Sequence, residues 1–200
     1  VKIQLRPFWT DAELAEIYAT PYDHTRWADH KDRMAWIIRT VRQLWPRTDA
    51  GLPMELAVAD LSCGDAYIVR QLIEWGWVNT YELADIVPNA YTTMNGSIED
   101  TLELLARPSG EPSFHLLICT ETVEHVRDPE SLLAGLRRIG GQLLLTTPID
   151  EAATSIDNPE HYWSFTVEDM RGLLEDAGWK VEHFDRLSTF WYEYQLWWCS

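Results

Sequence analysis

The sequence predicts an α/β fold: an open, mostly parallel sheet with helices on both faces and an antiparallel hairpin at its C-terminal end. Three observations carry the prediction. From about residue 55 onward, apolar runs of strand length alternate with stretches of helical spacing. Two of those runs, Phe114–Thr120 and Gly141–Thr147, are almost continuously apolar, as strands buried on both faces are. The last two, Trp179–Leu187 and Phe190–Cys199, are joined only by Ser188 and Thr189, so they should pair antiparallel.

Each element has its own local reason. Residues 11–19 read as a helix, with Leu14, Ile17 and Tyr18 at helical spacing and Thr10 or Asp11 as cap. A second helix over about 29–45 carries the stripe Met34, Ile37, Ile38, Val41, Leu44 and Trp45, and Pro46 stops it. Residues 55–61 form the first strand, 66–75 its helix and 78–86 the second strand. Pro88 is expected to open a short helix, 94–98 to form a weak strand and 99–106 a helix. Asp128 caps a helix over 129–138, with Pro129 at its first position. Residues 149–165 read as a long loop, and Thr166 caps a helix running to Ala177. Residues 1–51 are thus expected to form a helical cap or substrate lid, and 52–200 the core of a single domain.

Composition narrows the function. At 200 residues and 46% hydrophobic, the chain can bury one full core. The net charge of −16 argues against binding long nucleic acid. Residues 24–47 run the other way, with Arg26, Lys31, Arg33, Arg39, Arg42 and Arg47 against Asp29 and Asp32. That segment would face an anionic substrate or be a solvated helix face. Cys63, Cys119 and Cys199 show no ligand-like pairing, and no signal-peptide or membrane-spanning pattern stands out. The expectation is a cytoplasmic protein with a small-molecule partner and no membrane partner. The aromatic run from Phe190 to Trp198 reads as sheet and core, with a homodimer edge as the alternative.

The chemistry should centre on Asp60-Leu61-Ser62-Cys63-Gly64-Asp65-Ala66, where a strand feeds a tight loop of small residues and then a helix N-terminus. Small side chains let the main chain approach a nucleotide-like ligand, and the helix start offers free N–H groups. Asp60 can accept from a cationic amine. Asp85, about 20 residues beyond the loop at the end of the second strand, can accept from two ribose hydroxyls, with Glu82 in reserve. A plain strand-end or capping acid is the other reading of Asp85. Further on stand Gly96-Ser97-Ile98-Glu99 and, after the buried strand, Thr120-Glu121-Thr122-Val123-Glu124-His125.

These stretches resemble the motifs of class I S-adenosylmethionine-dependent methyltransferases. Their fold is a Rossmann-like parallel sheet closed by an antiparallel hairpin. The resemblance covers the chain from about residue 52 to the end. The family's first motif is acid-x-Gly-x-Gly-x-Gly; here only Gly64 is kept, while Ser62 and Ala66 replace the outer glycines. Any of these positions that needs a positive φ would be strained. The resemblance implies S-adenosylmethionine as cofactor. It would be held by Asp60, Ser62, Cys63, Gly64, Ala66, Asp85, Ile86 (facing adenine), Ser97, Ile98, Glu99, Thr120 and Glu121. Ser97 stands where the family has an acid that meets the adenine amine.

The stretch Leu117 to Val126, together with Asn158-Pro159-Glu160-His161-Tyr162-Trp163-Ser164-Phe165-Thr166, is similar to quinone-biosynthesis O-methyltransferases and small-RNA 3′-end 2′-O-methyltransferases. In those groups the Glu-x-x-Glu-His pattern with a distal His implies a divalent metal, Mg, Mn, Fe or Zn. Here Glu121, Glu124, His125 and His161 would be its ligands, with His125 and His161 as catalytic residues. The spacing of Glu121, Glu124 and His125 at i, i+3 and i+4 puts them on one face if the segment is helical. Pocket lining without a metal is the competing reading. Tyr22, His24, Arg26 and Trp27 would line the substrate site as a lid, or pack in the core, and Tyr162 would join that site. No Asn/Asp-Pro-Pro-Tyr follows the fourth strand and no Pro-Cys occurs, which argues against methylation of DNA bases at nitrogen or at cytosine C5. The function expected is methyl transfer from S-adenosylmethionine to a small-molecule oxygen. The alternatives are 2′-O-methylation of an RNA or nucleotide end, and a non-catalytic binder of S-adenosylmethionine or S-adenosylhomocysteine.

Overall fold

The computed structural model describes residues 2–19, 28–154 and 158–200. Tyr22, His24, Arg26 and Trp27 lie outside the described residues.

Four helices begin where side-chain oxygens cap them. Thr10 and Glu13 form a capping box at the start of α1 (Asp11–Ile17). Ser97 caps α4 (Ile98–Leu105), and Asp128, followed by Pro129, caps α5 (Pro129–Ile139). Thr166 and Asp169 form a second capping box at α6 (Val167–Asp176). The remaining helices are α2 (Ala28–Leu44) and α3 (Tyr67–Glu74).

The central sheet has seven strands in the order β4 (Met94–Asn95), β3 (Val78–Asp85), β2 (Leu56–Asp60), β5 (Phe114–Thr120), β6 (Gly140–Pro148), β9 (Glu193–Cys199), β8 (Val181–Ser188). Pairing is parallel from β4 to β6 and antiparallel from β6 through β9 to β8. This is the expected α/β fold with its closing hairpin. The pleat explains the strand sequences. Leu116, Ile118, Leu144, Leu196 and Trp198 face a core layer that also holds Met34, Ile37 and Val41 of α2 and Ile68, Val69 and Leu72 of α3. Their neighbours Leu117, Cys119, Leu143, Leu145 and Trp197 face a second layer with α4, α5 and α6. Strands buried on both sides have no polar face to alternate with. Helix α2, placed by sequence in the cap region, is one of the helices that cover the sheet. Gly140 is dictated by packing, because a Cβ there would overlap Leu117.

Three expectations are corrected. No helix follows Pro88; Asn89 instead accepts the N–H groups of Tyr91 (2.8 Å) and Thr92 (3.3 Å) and donates to Gly64 O (2.8 Å), which holds an irregular turn. The third parallel strand, expected over 94–98, is only Met94–Asn95, because Ser97 is taken as the helix cap. The segment 149–165 has structure of its own: a 3₁₀ turn at Glu151–Ala153 and β7 (Trp163–Ser164), which pairs with an N-terminal strand β1 (Ile3–Gln4).

Candidate active site

A cavity of about 700 Å³ opens at the carboxyl ends of the parallel strands, where strand order reverses between β2 and β5. Strands β2, β3 and β4 feed one side, with Ser62, Gly64, Asp85, Ile86, Ser97, Ile98 and Glu99. Strand β5, α1, α2 and the segment before β7 feed the other, including Tyr18, Arg33, His125 and His161.

On the first side the main chain does most of the positioning. Asp85 Oδ2 accepts from Gly64 N–H (2.8 Å) and Oδ1 from Val87 N–H (3.0 Å), so the carboxylate is fixed at the strand end with one lone pair on each oxygen to spare. Ile86 is 48% exposed and lines the cavity. Ser62 Oγ meets Thr122 Oγ1 at 2.6 Å, joining the loops after β2 and β5. Thr120, expected at the end of its strand, also lines the cavity. Ser97 lines it too, but its hydroxyl accepts from Asp100 N–H (3.1 Å), so a contact to adenine would share the oxygen with the cap.

Three residues expected to hold the cofactor lie behind the cavity wall. The side chains of Cys63 and Ala66 are buried in the layer behind the loop, because the chain turns inward there to start α3; only their main chain can meet a ligand. Ala66 takes φ +55°, the strained position the lost glycine foreshadowed. Asp60 is buried beneath the loop and accepts from Ser62 N–H (3.3 Å). Burial, with Asp85 and Asp65 nearby, pushes its carboxyl up to about 7.

The second side corrects the ligand set read from spacing. Residues after β5 form a turn, with His125 N–H bonded to Thr122 O (2.9 Å), and no helix begins until Pro129. Glu121 sits at φ +54°. Its Oε2 takes an ion pair from buried Arg33 (2.9 Å), and its Oε1 accepts from Thr146 Oγ1 (2.9 Å). Glu121 is therefore not in the group whose donor atoms converge.

Glu124, His125 and His161 do converge: one donor atom from each lies within 4.8 Å of the others. The rings of His125 and His161 meet edge-on, with centroids 4.6 Å apart. His125 Nδ1 lies 3.0 Å from Glu160 O and 3.2 Å from the Tyr18 hydroxyl, leaving Nε2 facing Glu124 Oε1 at 4.0 Å. His161 Nδ1 lies 2.6 Å from Glu151 Oε2. Asn158 Nδ2 donates to His161 Nε2 (2.9 Å), so the ring proton is on Nδ1, directed at Glu151. The orientation of Asn158 is itself fixed, since its Oδ1 accepts from Glu160 N–H (3.0 Å). Glu124 is fully buried; Oε2 accepts from Thr147 Oγ1 (3.0 Å), and Oε1 has no hydrogen-bond partner among the described residues. Burial, then the Glu121 charge, holds Glu124 well above the usual carboxylate range. Burial lowers His125 far below the usual imidazole range and His161 to about 4, and raises Glu151 to about 8.

Tyr162 contributes to the wall, but its hydroxyl accepts from Trp9 N–H (3.1 Å) and its ring packs edge-on against Phe8. That contact belongs to a strap. Leu5 N–H bonds Tyr162 O (2.8 Å), Arg6 Nε donates to His161 O (3.0 Å), and Trp9 Nε1 donates to Pro159 O (2.9 Å). Residues 5–9 thus brace the segment that carries His161.

Sequence reading missed Arg33, Glu151, Asn158 and Tyr18. Arg33 was visible as a charge four residues before Ile37 on the buried stripe of α2. Glu151 was visible as an acid just past the end of a buried strand. Of the basic segment, Lys31, Arg39 and Arg42 line a separate groove with Met34, Ile38 and Tyr67; Arg33 lines the cavity and is paired with Glu121.

A family model described as a methyltransferase domain matches residues 22–184. No curated protein sequence matches the chain. Among solved structures, the chain is similar to an S-adenosylmethionine-dependent methyltransferase from Mesorhizobium loti (TM-score 0.60, 15% identity, 83% of this chain and 97% of that one). It is also similar to magnesium protoporphyrin IX methyltransferase from Synechocystis PCC 6803 with S-adenosylhomocysteine bound (TM-score 0.61, 16% identity, 94% and 92%). A third is 1,6-didemethyltoxoflavin-N1-methyltransferase from Burkholderia thailandensis (TM-score 0.54, 15% identity, 97% and 91%).

Proposed function

The chain belongs to the methyltransferase-domain family and is an S-adenosylmethionine-dependent methyltransferase; on that premise we propose that its acceptor is an oxygen atom of a small molecule held on the histidine side of the cavity. The observation that carries the reading is one cavity joining the Gly64–Asp85 loop pair to two histidines, His161 buried and His125 half-buried. In this reading Asp85 takes the ribose hydroxyls, Ile86 lies against the adenine, and the main chain at Ser62–Gly64 approaches the methionine part. Asp60 takes the amine from below the loop, and the cationic amine would draw its proton off. The acceptor oxygen forms its bond to the methyl carbon as the sulfur–methyl bond breaks, leaving S-adenosylhomocysteine. Holding the two partners in line is the main contribution the protein makes.

The hydroxyl proton is the harder problem. A histidine near 4, such as His161, is a weak proton acceptor at neutral pH, but it is neutral and ready as a ligand. Both histidines have Nδ1 held by an oxygen, and His125 Nε2 faces Glu124 Oε1, which is buried with no hydrogen-bond partner among the described residues. His161 Nε2 accepts from Asn158, a bond that a cation would displace. With that amide turned aside the set matches a cation site, with Glu160 O and Glu151 as the outer partners. The residues present therefore fit a divalent cation held by Glu124, His125 and His161. What such a cation supplies when bound is a lower pKa for the acceptor hydroxyl. The tyrosines Tyr18, Tyr192 and Tyr194 wall the acceptor space.

Labelled S-adenosylmethionine offered with a panel of catechols, hydroxy acids and nucleotides tests the reading. The label should appear on oxygen. EDTA should stop turnover while calorimetric affinity for S-adenosylmethionine stays within about threefold, because the cation serves the acceptor. Manganese titration should show a site that weakens at least about tenfold in His161→Ala. Methyl transfer to nitrogen would overturn the oxygen assignment. Turnover insensitive to EDTA would overturn the metal.

A further inference from the structure

We propose that the tip of the β8–β9 hairpin docks the protein on a neutral lipid surface. Phe190 and Trp191 are the middle pair of the four-residue connection 189–192 between β8 and β9, 85% and 60% exposed, with ring centroids 4.8 Å apart in an edge-on pair. Turns favour glycine and small polar residues. Here both middle positions carry large aromatic side chains into water. The tip is nonetheless held firmly. Thr189 N–H donates to Tyr192 O (2.8 Å), Tyr192 N–H donates to Thr189 Oγ1 (3.1 Å), and Thr189 Oγ1 donates to Asp29 Oδ2 (2.8 Å). A braced turn presenting two bare rings needs something for the rings to enter.

Area decides between occupants. Two aromatic side chains bury roughly 150–250 Å² each, whereas a stable protein interface needs about 1,000 Å² or more. The residues beside the tip, Ser188, Thr189 and Glu193, are polar, so the apolar patch does not extend far enough for a second copy or another protein. Shallow insertion at a membrane interface needs no such area, and tryptophan favours that depth. The net charge of −16, with Asp29 and Glu193 at the base of the tip, selects a zwitterionic surface over an anionic one. Among the described residues no helix is long and apolar enough to cross a membrane, so the contact is peripheral. Tyr192 follows the tip directly and lines the cavity, which puts the docked surface beside the acceptor side.

Sedimentation with phosphatidylcholine vesicles tests this without reference to methyl transfer. The wild-type protein should co-sediment, and F190S/W191S should lose at least about tenfold in partition while keeping its thermal unfolding and its S-adenosylmethionine affinity. Replacing a third of the lipid with phosphatidylserine at low salt should weaken binding, and added salt should restore it. Absence of wild-type binding, or equal binding by the variant, overturns the proposal. So does a concentration-dependent dimer that F190S/W191S abolishes, which would give the tip to a second copy.

Discussion

The two sides of the cavity are built by different means. The side fed by β2, β3 and β4 draws its polar groups from residues 60–99, held by bonds between side chains and the loop main chain at adjacent strand ends, as in Gly64 N–H to Asp85 and Asn89 to Gly64 O. The histidine side collects Tyr18, Arg33, His125, Glu151, His161 and Tyr194 from across the chain. It holds them by side chains: Arg33 on Glu121, Glu151 on His161, Thr147 on Glu124. It also needs the N-terminal strap behind His161. The first side uses geometry that any strand–loop–helix unit in this fold supplies. The second depends on contacts between distant parts of the chain, and acceptor choice should reside there.

If the sides are separate in function, mutations should divide cleanly. The largest effect is expected from His161→Ala, which should lower turnover by on the order of 10²-fold or more while S-adenosylmethionine affinity moves less than about threefold. A parallel loss of cofactor affinity in calorimetry would merge the two sides. Asp60 comes next. Its carboxyl titrates near 7 when folded and near 3.8 when unfolded, so the folded protein holds the extra proton between those values. Its contribution to stability without cofactor should therefore fall as pH rises from about 4 to 7, by on the order of 4 kcal/mol, and remain low above. Asp60→Asn should remove that contribution in urea melts at pH 4 to 8, leaving those of Glu124, Glu151 and the histidines, and weaken S-adenosylmethionine binding. An unchanged slope would place the titration elsewhere.

Asp85→Asn is expected to cost on the order of 1.5–3 kcal/mol of cofactor affinity and to spare manganese binding. The smallest effect belongs to Ala66. Glycine removes the penalty of φ +55° but adds freedom to the unfolded chain, so Ala66→Gly should stabilise by about 1 kcal/mol or less in thermal melts.

The same division explains what was legible in the sequence. Period, capping and loop chemistry are local, so the strands of the central sheet, the six helices and the place of Gly64 and Asp85 at adjacent strand ends could be anticipated from short windows. The region after Pro88 misled because a proline suits a helix start, while Asn89 offered the backbone a competing turn. Glu121 misled for a different reason. The i, i+3, i+4 pattern assumes a helix, but the backbone turns at φ +54° and Arg33, 88 residues earlier, claims the carboxylate. Spacing could nominate His125 and His161 as partners but could not supply Glu151 beneath one or Tyr18 beside the other. The strap was invisible because β1 is two residues long and is defined only by its pairing with β7.

A crystal structure with S-adenosylhomocysteine tests the division of the cavity most directly. The ribose hydroxyls should lie within hydrogen-bond reach of Asp85, the adenine against Ile86, and the sulfur should face the space in front of His125 and His161. A sulfur turned away from the histidines, or a nucleoside seated off the Gly64 loop, would contradict it.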